Sequence, residues 1–172
     1  MAATKVAYGF SLVELTMALA VSALLLLFAV PTLSTSLDRA RLHWRVDGFV
    51  NAINQAKFEV LSSGKTVIIC RKHSQYQCAG AQYRGRKDWS RGWLAFIDAD
   101  LNRVYNERDE RLLAQLSFNA NQCSIVSNRG DFLGIYPADL GLRSSAARLE
   151  ITCGSIRTSL IINWLGRVRR EH

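Results

Sequence analysis

Residues 9–15 read Gly9-Phe10-Ser11-Leu12-Val13-Glu14-Leu15, and they open an apolar segment that continues to Leu33. As an α-helix, the stretch from Phe10 to Leu33 is long enough to cross the ~30 Å hydrocarbon core of a bilayer. The sequence therefore predicts one membrane-spanning helix over residues 10–33, close to the N-terminus.

Glu14 is the unusual residue of this segment. A carboxylate inside a membrane span costs about 2.5 kcal/mol or more and usually has a function. A secretory signal peptide has a shorter apolar region, which does not normally carry a glutamate near its start. A plain membrane anchor gives Glu14 no task. A buried carboxylate needs a cationic partner, and neither of these two alternatives supplies one for Glu14.

The stretch from Gly9 to Leu15 resembles the prepilin cleavage motif of type IV pilins and type II secretion pseudopilins. The resemblance implies that residues 1–9 are a leader, which a prepilin peptidase removes between Gly9 and Phe10, and that Phe10 is then N-methylated. It also implies that Glu14 pairs with the N-terminal amine of a neighbouring pilin during filament assembly. The protein would first be a single-pass protein of the inner membrane with its head in the periplasm, and then part of a pilus at the cell surface.

The residues after Pro31 change to an amphipathic pattern, in which apolar residues recur at helical spacing. Gly64 is a typical helix-ending residue. The pattern predicts a helix over residues 34–62 whose apolar stripe packs on a sheet. The expected stripe consists of Leu37, Ala40, Trp44, Phe49, Ile53, Ala56 and Val60.

Residues 63–172 alternate short β-type runs with turn residues, which predicts a β-rich globular head. A long helix followed by a mostly antiparallel sheet gives an α+β, pilin-like fold. The stretch from Asn119 to Ala147 has no pattern that predicts structure. The strand candidates are residues 66–70, 89–97 (a turn followed by a strand), 111–113, 149–153 and 159–164.

A second resemblance covers this region. The pattern Trp89-x-x-Gly92-Trp93-x-x-Phe96-x-Asp98-x-Asp100-x-Asn102, followed by Asp109-Glu110-x-Leu112-Leu113, resembles the minor pilin and pseudopilin group that includes FimT, FimU and GspH. The ending Gly166-Arg167-Val168-Arg169 resembles the Gly-Arg-x-Arg ending of the FimT type, which is associated with DNA binding in natural transformation. The resemblance implies assembly with other major and minor pilins, and it assigns DNA contact to Arg167 and Arg169.

Four cysteines after a membrane segment favour an oxidising compartment and two disulfides. Three pairings are possible, and we favour the nearest-neighbour one, Cys70–Cys78 and Cys123–Cys153. Zinc knuckles need close ligand pairs such as Cys-x2-Cys, which this sequence lacks. We therefore expect no zinc site.

Asp98, Asp100 and Asn102 have the spacing that begins an EF-hand loop. The sixth position, which requires glycine, is Arg103, and the twelfth is Asp109 rather than glutamate. A hairpin turn capped by Asx side chains explains the spacing better than calcium does, so we expect neither a metal nor another cofactor. The sequence also lacks a phosphate-binding glycine loop and a serine elbow motif, and we expect no catalytic residues and no enzyme activity.

The net charge of +8 favours an acidic partner. One basic cluster contains Lys72, Arg86 and Lys87, together with Arg71, Arg84 and Arg91; a second contains Arg167, Arg169 and Arg170. If the chain resumes as a strand after Gly166, Arg167 and Arg169 share one face about 7 Å apart and Val168 points to the core. Two guanidinium groups at this spacing suit successive phosphates, and such contacts give affinity without sequence reading.

These features predict a minor pilin of a type IV pilus that captures extracellular double-stranded DNA for natural transformation. The alternative is a structural minor pilin or type II secretion pseudopilin that primes filament assembly without binding DNA. A third possibility is a membrane-anchored domain that binds anionic lipid or a cell-surface polymer through the same basic face.

Overall fold

The computed structural model describes residues 11–74, 76–79, 88–108 and 110–171, and for residues 29–31 it describes the backbone alone. Its helix α1 (Leu12–Ser63) is followed by strands β1 to β10. The chain divides into two compact units, residues 1–37 and residues 38–172.

The first unit contains the apolar part of α1. Its described side chains, such as Leu12, Leu27 and Phe28, are exposed along this part of the helix. By length and composition the helix is a candidate membrane span, and a single N-terminal apolar helix of this kind fits a single-pass membrane anchor.

In the second unit, α1 buries a regular apolar stripe. The predicted stripe is confirmed from Phe49 to Val60, but its first three residues are wrong: Leu37 is 47% exposed, Trp44 is 58% exposed, and Ala40 is exposed as well. For Trp44 the reason is the spacing: Trp44 precedes Phe49 by five residues and so lies on a different face of the helix. The buried stripe alternates steps of four and three residues, and it consists of Leu42, Val46, Phe49, Ile53, Ala56 and Val60.

The helix ends where the sequence predicts. Ser63 is its last residue, and Gly64 follows with a φ of +67°. The amide of Gly64 donates to the carbonyl oxygen of Val60 at 2.9 Å. A left-handed glycine that closes the last turn in this way is a common helix C-cap.

The strands form two antiparallel sheets. The first has the order β4-β3-β1-β6-β7, with β2 paired to β1, and the second has the order β10-β9-β8-β5. The single predicted sheet is thus two, because the stretch from Asn119 to Ala147 supplies β5 to the second sheet and β6 and β7 to the first. The strands are β1 (Val67–Ser74), β2 (Gln77–Cys78), β3 (Gly92–Ile97), β4 (Leu112–Ser117), β5 (Ser124–Ser127), β6 (Phe132–Ala138), β7 (Gly141–Ser144), β8 (Ala147–Cys153), β9 (Ile156–Ile162) and β10 (Val168–Glu171).

The main core lies between the stripe of α1 and the inner faces of both sheets. Trp89 is fully buried there, and its indole nitrogen donates to the carbonyl oxygen of Gly130 at 2.7 Å. The ring of Phe49 meets Trp89 and Trp93 edge-on, at centroid distances of 5.9 and 6.1 Å. This arrangement makes Trp89 a core residue.

Both favoured disulfides are present. Cys70 of β1 is bonded to Cys78 of β2, and Cys123 is bonded to Cys153 at the end of β8. Each bond therefore ties neighbouring segments within one sheet, which restricts the unfolded chain more than it reshapes the folded one.

Candidate nucleic-acid interface

The C-terminal hairpin begins with a turn that one asparagine organises. The side-chain oxygen of Asn163 accepts hydrogen bonds from the amides of Leu165 at 3.0 Å and Arg167 at 2.9 Å. Gly166 takes a φ of +67°, and its amide donates to the carbonyl oxygen of Asn163. The turn thus places Arg167 directly before β10, which pairs antiparallel with β9.

Side chains alternate along this strand as predicted. Val168 packs against the core, whereas Arg167 and Arg169 are exposed. Both arginines line one shallow pocket of about 350 Å³ with Ile161 and Asn163. In the part of the chain that the structure describes, the Arg167 guanidinium has no ion-pair partner. The two arginines therefore present donors around one concavity on the outer face of the second sheet.

A third arginine extends this face. Arg169 and Arg148 both lie opposite Ile161, on β10 and β8 respectively. Glu171 bridges them, because its two carboxylate oxygens accept from Arg169 at 2.7 Å and from Arg148 at 2.6 Å. The side chains of Arg169 and Arg148 remain 69% and 47% exposed. We use the name arginine face for Arg148, Arg167 and Arg169.

Arg148 was missed by sequence reasoning, although a signal for it exists. The segment from Ala147 to Cys153 alternates buried and exposed residues, which places Arg148 and Glu150 on the outer side. Trp164, next to the hairpin turn, is a second exposed residue that the prediction left unused. Aromatic rings beside arginines are a common feature of nucleic-acid surfaces.

Arg170 lies apart from the arginine face. Because it follows Arg169 by one residue, it points to the opposite side of β10, where its guanidinium pairs with Asp47 of α1. Its charge is therefore offset by a carboxylate of the helix, and the arginine face does not include it.

The first basic cluster is only partly described. Arg86 and Lys87, like Arg84, lie outside the described residues. Lys72 is 6% exposed and donates to Ser117 Oγ at 2.5 Å, and burial lowers its pKa. Arg71 pairs with Asp131 at 2.9 Å. As the chain is folded here, the ammonium of Lys72 is not presented as an exposed phosphate ligand.

The assembly residues lie in the first unit or before it. Gly9 and Phe10, the predicted cleavage and methylation positions, fall outside the described residues. Glu14 is in the first turn of α1 and is exposed.

The acidic turn has the Asx capping that the sequence predicts. The amide of Asn102 donates to Asp100 Oδ1 at 3.1 Å, and that of Arg103 donates to Asp98 Oδ1 at 3.3 Å. Leu101 and Arg103 adopt positive φ angles of 61° and 65°. Ligand oxygens of Asp98, Asp100 and Glu110 lie within 4.8 Å of one another. Burial is the main cause of a raised pKa for Asp98 and for Glu110.

A protein-family model described as type II transport protein GspH matches residues 45–166. The match covers about the last third of α1 and the chain as far as Gly166, immediately before Arg167. No curated protein and no solved structure matches the chain.

Proposed function

Because this chain belongs to the GspH family, in the group of pseudopilins and minor pilins that includes FimT and FimU, we propose that it is a filament subunit that binds double-stranded DNA for natural transformation. GspH pseudopilins are structural components that associate with other pilins or pseudopilins in a filament. The arginine face adds a second capacity to that role, namely capture of extracellular DNA without reading its sequence.

The observation that carries the proposal is the position of Arg167 and Arg169 around one pocket on an exposed sheet face. Guanidinium groups bind phosphate oxygens through paired donors, and they do so without regard to base sequence. Arg148 on β8 and Arg169 on β10 lie on either side of Ile161 on β9. Two strand spacings therefore separate their Cα atoms, which is roughly 10 Å. The face therefore presents cations both along β10 and across the sheet, so that it can contact several phosphates of a nucleic-acid backbone.

The assembly steps form part of the same proposal. A prepilin peptidase removes residues 1–9, Phe10 is methylated, and Glu14 pairs with the N-terminal amine of a neighbouring subunit. Before assembly the apolar helix holds the protein in the inner membrane, with residues 34–172 in the periplasm. Afterwards the protein belongs to a pilus at the cell surface. The match to the GspH family and the apolar N-terminal helix support this order.

The test is a DNA titration of the full chain in a non-ionic detergent, with Arg167→Gln/Arg169→Gln as the variant. We expect the wild type to bind two unrelated duplexes equally, with a log–log salt slope of about −2 to −3 for two to three phosphate contacts. The double variant should lose at least about tenfold in affinity, because each charge-assisted contact contributes roughly 1 kcal/mol or more.

A matched control removes two charges elsewhere. Arg108 and Arg143 are exposed and lie in the first sheet or the loops beside it. Arg108→Gln/Arg143→Gln should keep most of the affinity. Equal losses in both double variants would show that only net charge matters. If the wild type binds DNA as poorly as the Arg167→Gln/Arg169→Gln variant does, the DNA-binding proposal fails. The alternative then remains, namely a structural pseudopilin or minor pilin that primes assembly.

A further inference from the structure

A second concavity lies on the first sheet, apart from the arginine face. It has a volume of about 480 Å³, and its lining includes Lys72 of β1, Arg91, Ser117 at the end of β4, Phe118 and Asn119. Among the described residues that line it, none is acidic. It is a wide depression open to solvent rather than an enclosed cavity.

Lys72 brings a buried positive charge to this pocket, and among the residues that the structure describes it has no negative partner. Its ammonium donates to Ser117 Oγ at 2.5 Å and reaches Gln115 Oε1 at 3.5 Å, and both acceptors are neutral. Asp131 pairs with Arg71, the residue that precedes Lys72 in the chain. A buried cation with only neutral partners is unfavourable, and an anion that enters the pocket would relieve this cost.

A second buried cation lies behind the pocket wall. Arg45 of α1 is 2% exposed, and its guanidinium carbon lies 4.2 Å from the ring centroid of Phe118. One guanidinium nitrogen donates to the carbonyl oxygen of Asn119 at 3.2 Å. Within the described part of the chain, Nε and Nη1 of Arg45 have no hydrogen-bond partner. Lys72 and Arg45, two cations without an anionic partner in the described ranges, thus both contact the short segment Ser117–Asn119.

From these contacts we propose that the pocket receives a carboxylate side chain of a neighbouring filament subunit. The carboxylate accepts from the ammonium of Lys72 at the floor and from Arg91, whose side chain is exposed at the rim. Family membership supplies a partner of the right kind, since GspH pseudopilins associate with other pilins or pseudopilins. Lys72 is 6% exposed, so a single carboxylate side chain can reach its ammonium more easily than the phosphates of a stiff DNA duplex can. The proposal is independent of DNA binding at the arginine face.

The first test measures carboxylate binding directly, with acetate as the probe. Thermal unfolding of the full chain in a non-ionic detergent is followed in acetate and in chloride at equal ionic strength. We expect acetate to raise the Tm of the wild type by roughly 2–4 °C. Lys72→Met should remove this response and, without acetate, should unfold at the wild-type Tm or above, because it deletes an unpaired buried charge.

Arg143→Gln is the control, because it removes a charge outside the pocket and should keep the acetate response. The proposal fails if Lys72→Met responds to acetate as the wild type does. It also fails if the wild type shows no response, or if Lys72→Met lowers the Tm in chloride, which would make Lys72 a structural hydrogen-bond donor.

The second test identifies the occupant in cells that assemble the filament. A photo-crosslinking residue replaces Asn119, and the product is mapped by mass spectrometry. We expect a bond to a pilin or pseudopilin peptide that contains Asp or Glu, with a yield about fivefold lower in an Arg91→Glu background. The same residue at Glu150, on the outer face of the second sheet, should not give this peptide. A nuclease-sensitive product, or none, would overturn the assignment to a subunit carboxylate.

Discussion

Glu171 is the residue that restrains the arginine face. Its carboxylate accepts hydrogen bonds from both Arg169 and Arg148. Two of the three arginines therefore already use guanidinium N–H donors within the protein. Exposed ion pairs of this kind contribute about 0.2–1 kcal/mol each. Any phosphate that binds here must compete with this carboxylate, and the measured DNA affinity should therefore depend on it.

Replacing Glu171 by Gln should strengthen DNA binding. The variant removes one negative charge and frees donors of Arg169 and Arg148, so we expect affinity to rise by about threefold to fivefold. The salt slope should become steeper by up to about 0.9 for one further phosphate contact. Fluorescence anisotropy at three salt concentrations measures both quantities.

Glu150 gives the matched control for this experiment. It is exposed on the outer face of the same sheet, and Glu150→Gln changes the net charge by the same amount. Its effect should be smaller, because no ion pair with Arg148 or Arg169 joins Glu150 among the described contacts. A rise in affinity of the same size in both variants would assign the effect to net charge alone.

At the scale of elements, the pairing of β3 with β4 depends on one glycine. Gly92 takes a φ of +108° opposite Ser117, and a Cβ atom there would lie 2.0 Å from the carbonyl oxygen of Leu116. Backbone atoms cannot move aside as a flexible side chain does. The contact therefore requires a residue without a Cβ atom.

Gly92→Ala should destabilise the protein by at least about 3 kcal/mol, because backbone strain and a steric clash add. Gly130→Ala is the control, since Gly130 also has a positive φ, +92°, but no atom within 4 Å of the added Cβ. It should cost only about 1–2 kcal/mol of strain. Denaturant unfolding followed by the fluorescence of the buried Trp89 and Trp93 compares them, and equal costs would contradict the close approach at Leu116.

The sequence predicts those elements whose signals are local. The apolar run after Gly9, the glycine that ends α1 and the alternation around Val168 each depend on a few adjacent residues. The separation into two sheets could not be predicted in this way, because β5 has four residues and its partner β8 lies more than twenty residues further along the chain. Long-range pairing of short strands leaves little trace in local periodicity.

Strand alternation and burial explain where two of the predicted basic residues lie. Arg170 was grouped with its neighbours by charge, yet strand alternation turns it towards Asp47. Lys72 lies in β1, a strand whose first six residues are all buried. Alternation along this strand therefore does not identify a solvent-facing side. Composition counts a charge without showing whether water can reach it.

At the scale of the whole molecule, Glu14 should separate membrane insertion from assembly. The apolar helix inserts without this carboxylate, whereas an amine of a neighbouring subunit would lose its partner inside the filament. We expect Glu14→Ala to keep the membrane fraction unchanged and to lower the amount in sheared filaments by more than about tenfold.

Thr16→Ala is the control in the same helix, because the Thr16 hydroxyl donates to the carbonyl oxygen of Val13 in its own helix. Immunoblots of membrane and sheared fractions from cells that assemble the filament give both readings. Wild-type amounts of Glu14→Ala in the filament would contradict the proposed pairing with a neighbouring amine.

The alternation along β10 separates two kinds of heritable change. Val168 faces the core, whereas positions 167 and 169 face outward and make no core contact. Substitutions at these two codons can therefore accumulate without loss of folding. A lineage that carries this scaffold can gain or lose the proposed capture of nucleic acid in very few mutational steps, while its subunits keep their place in the filament.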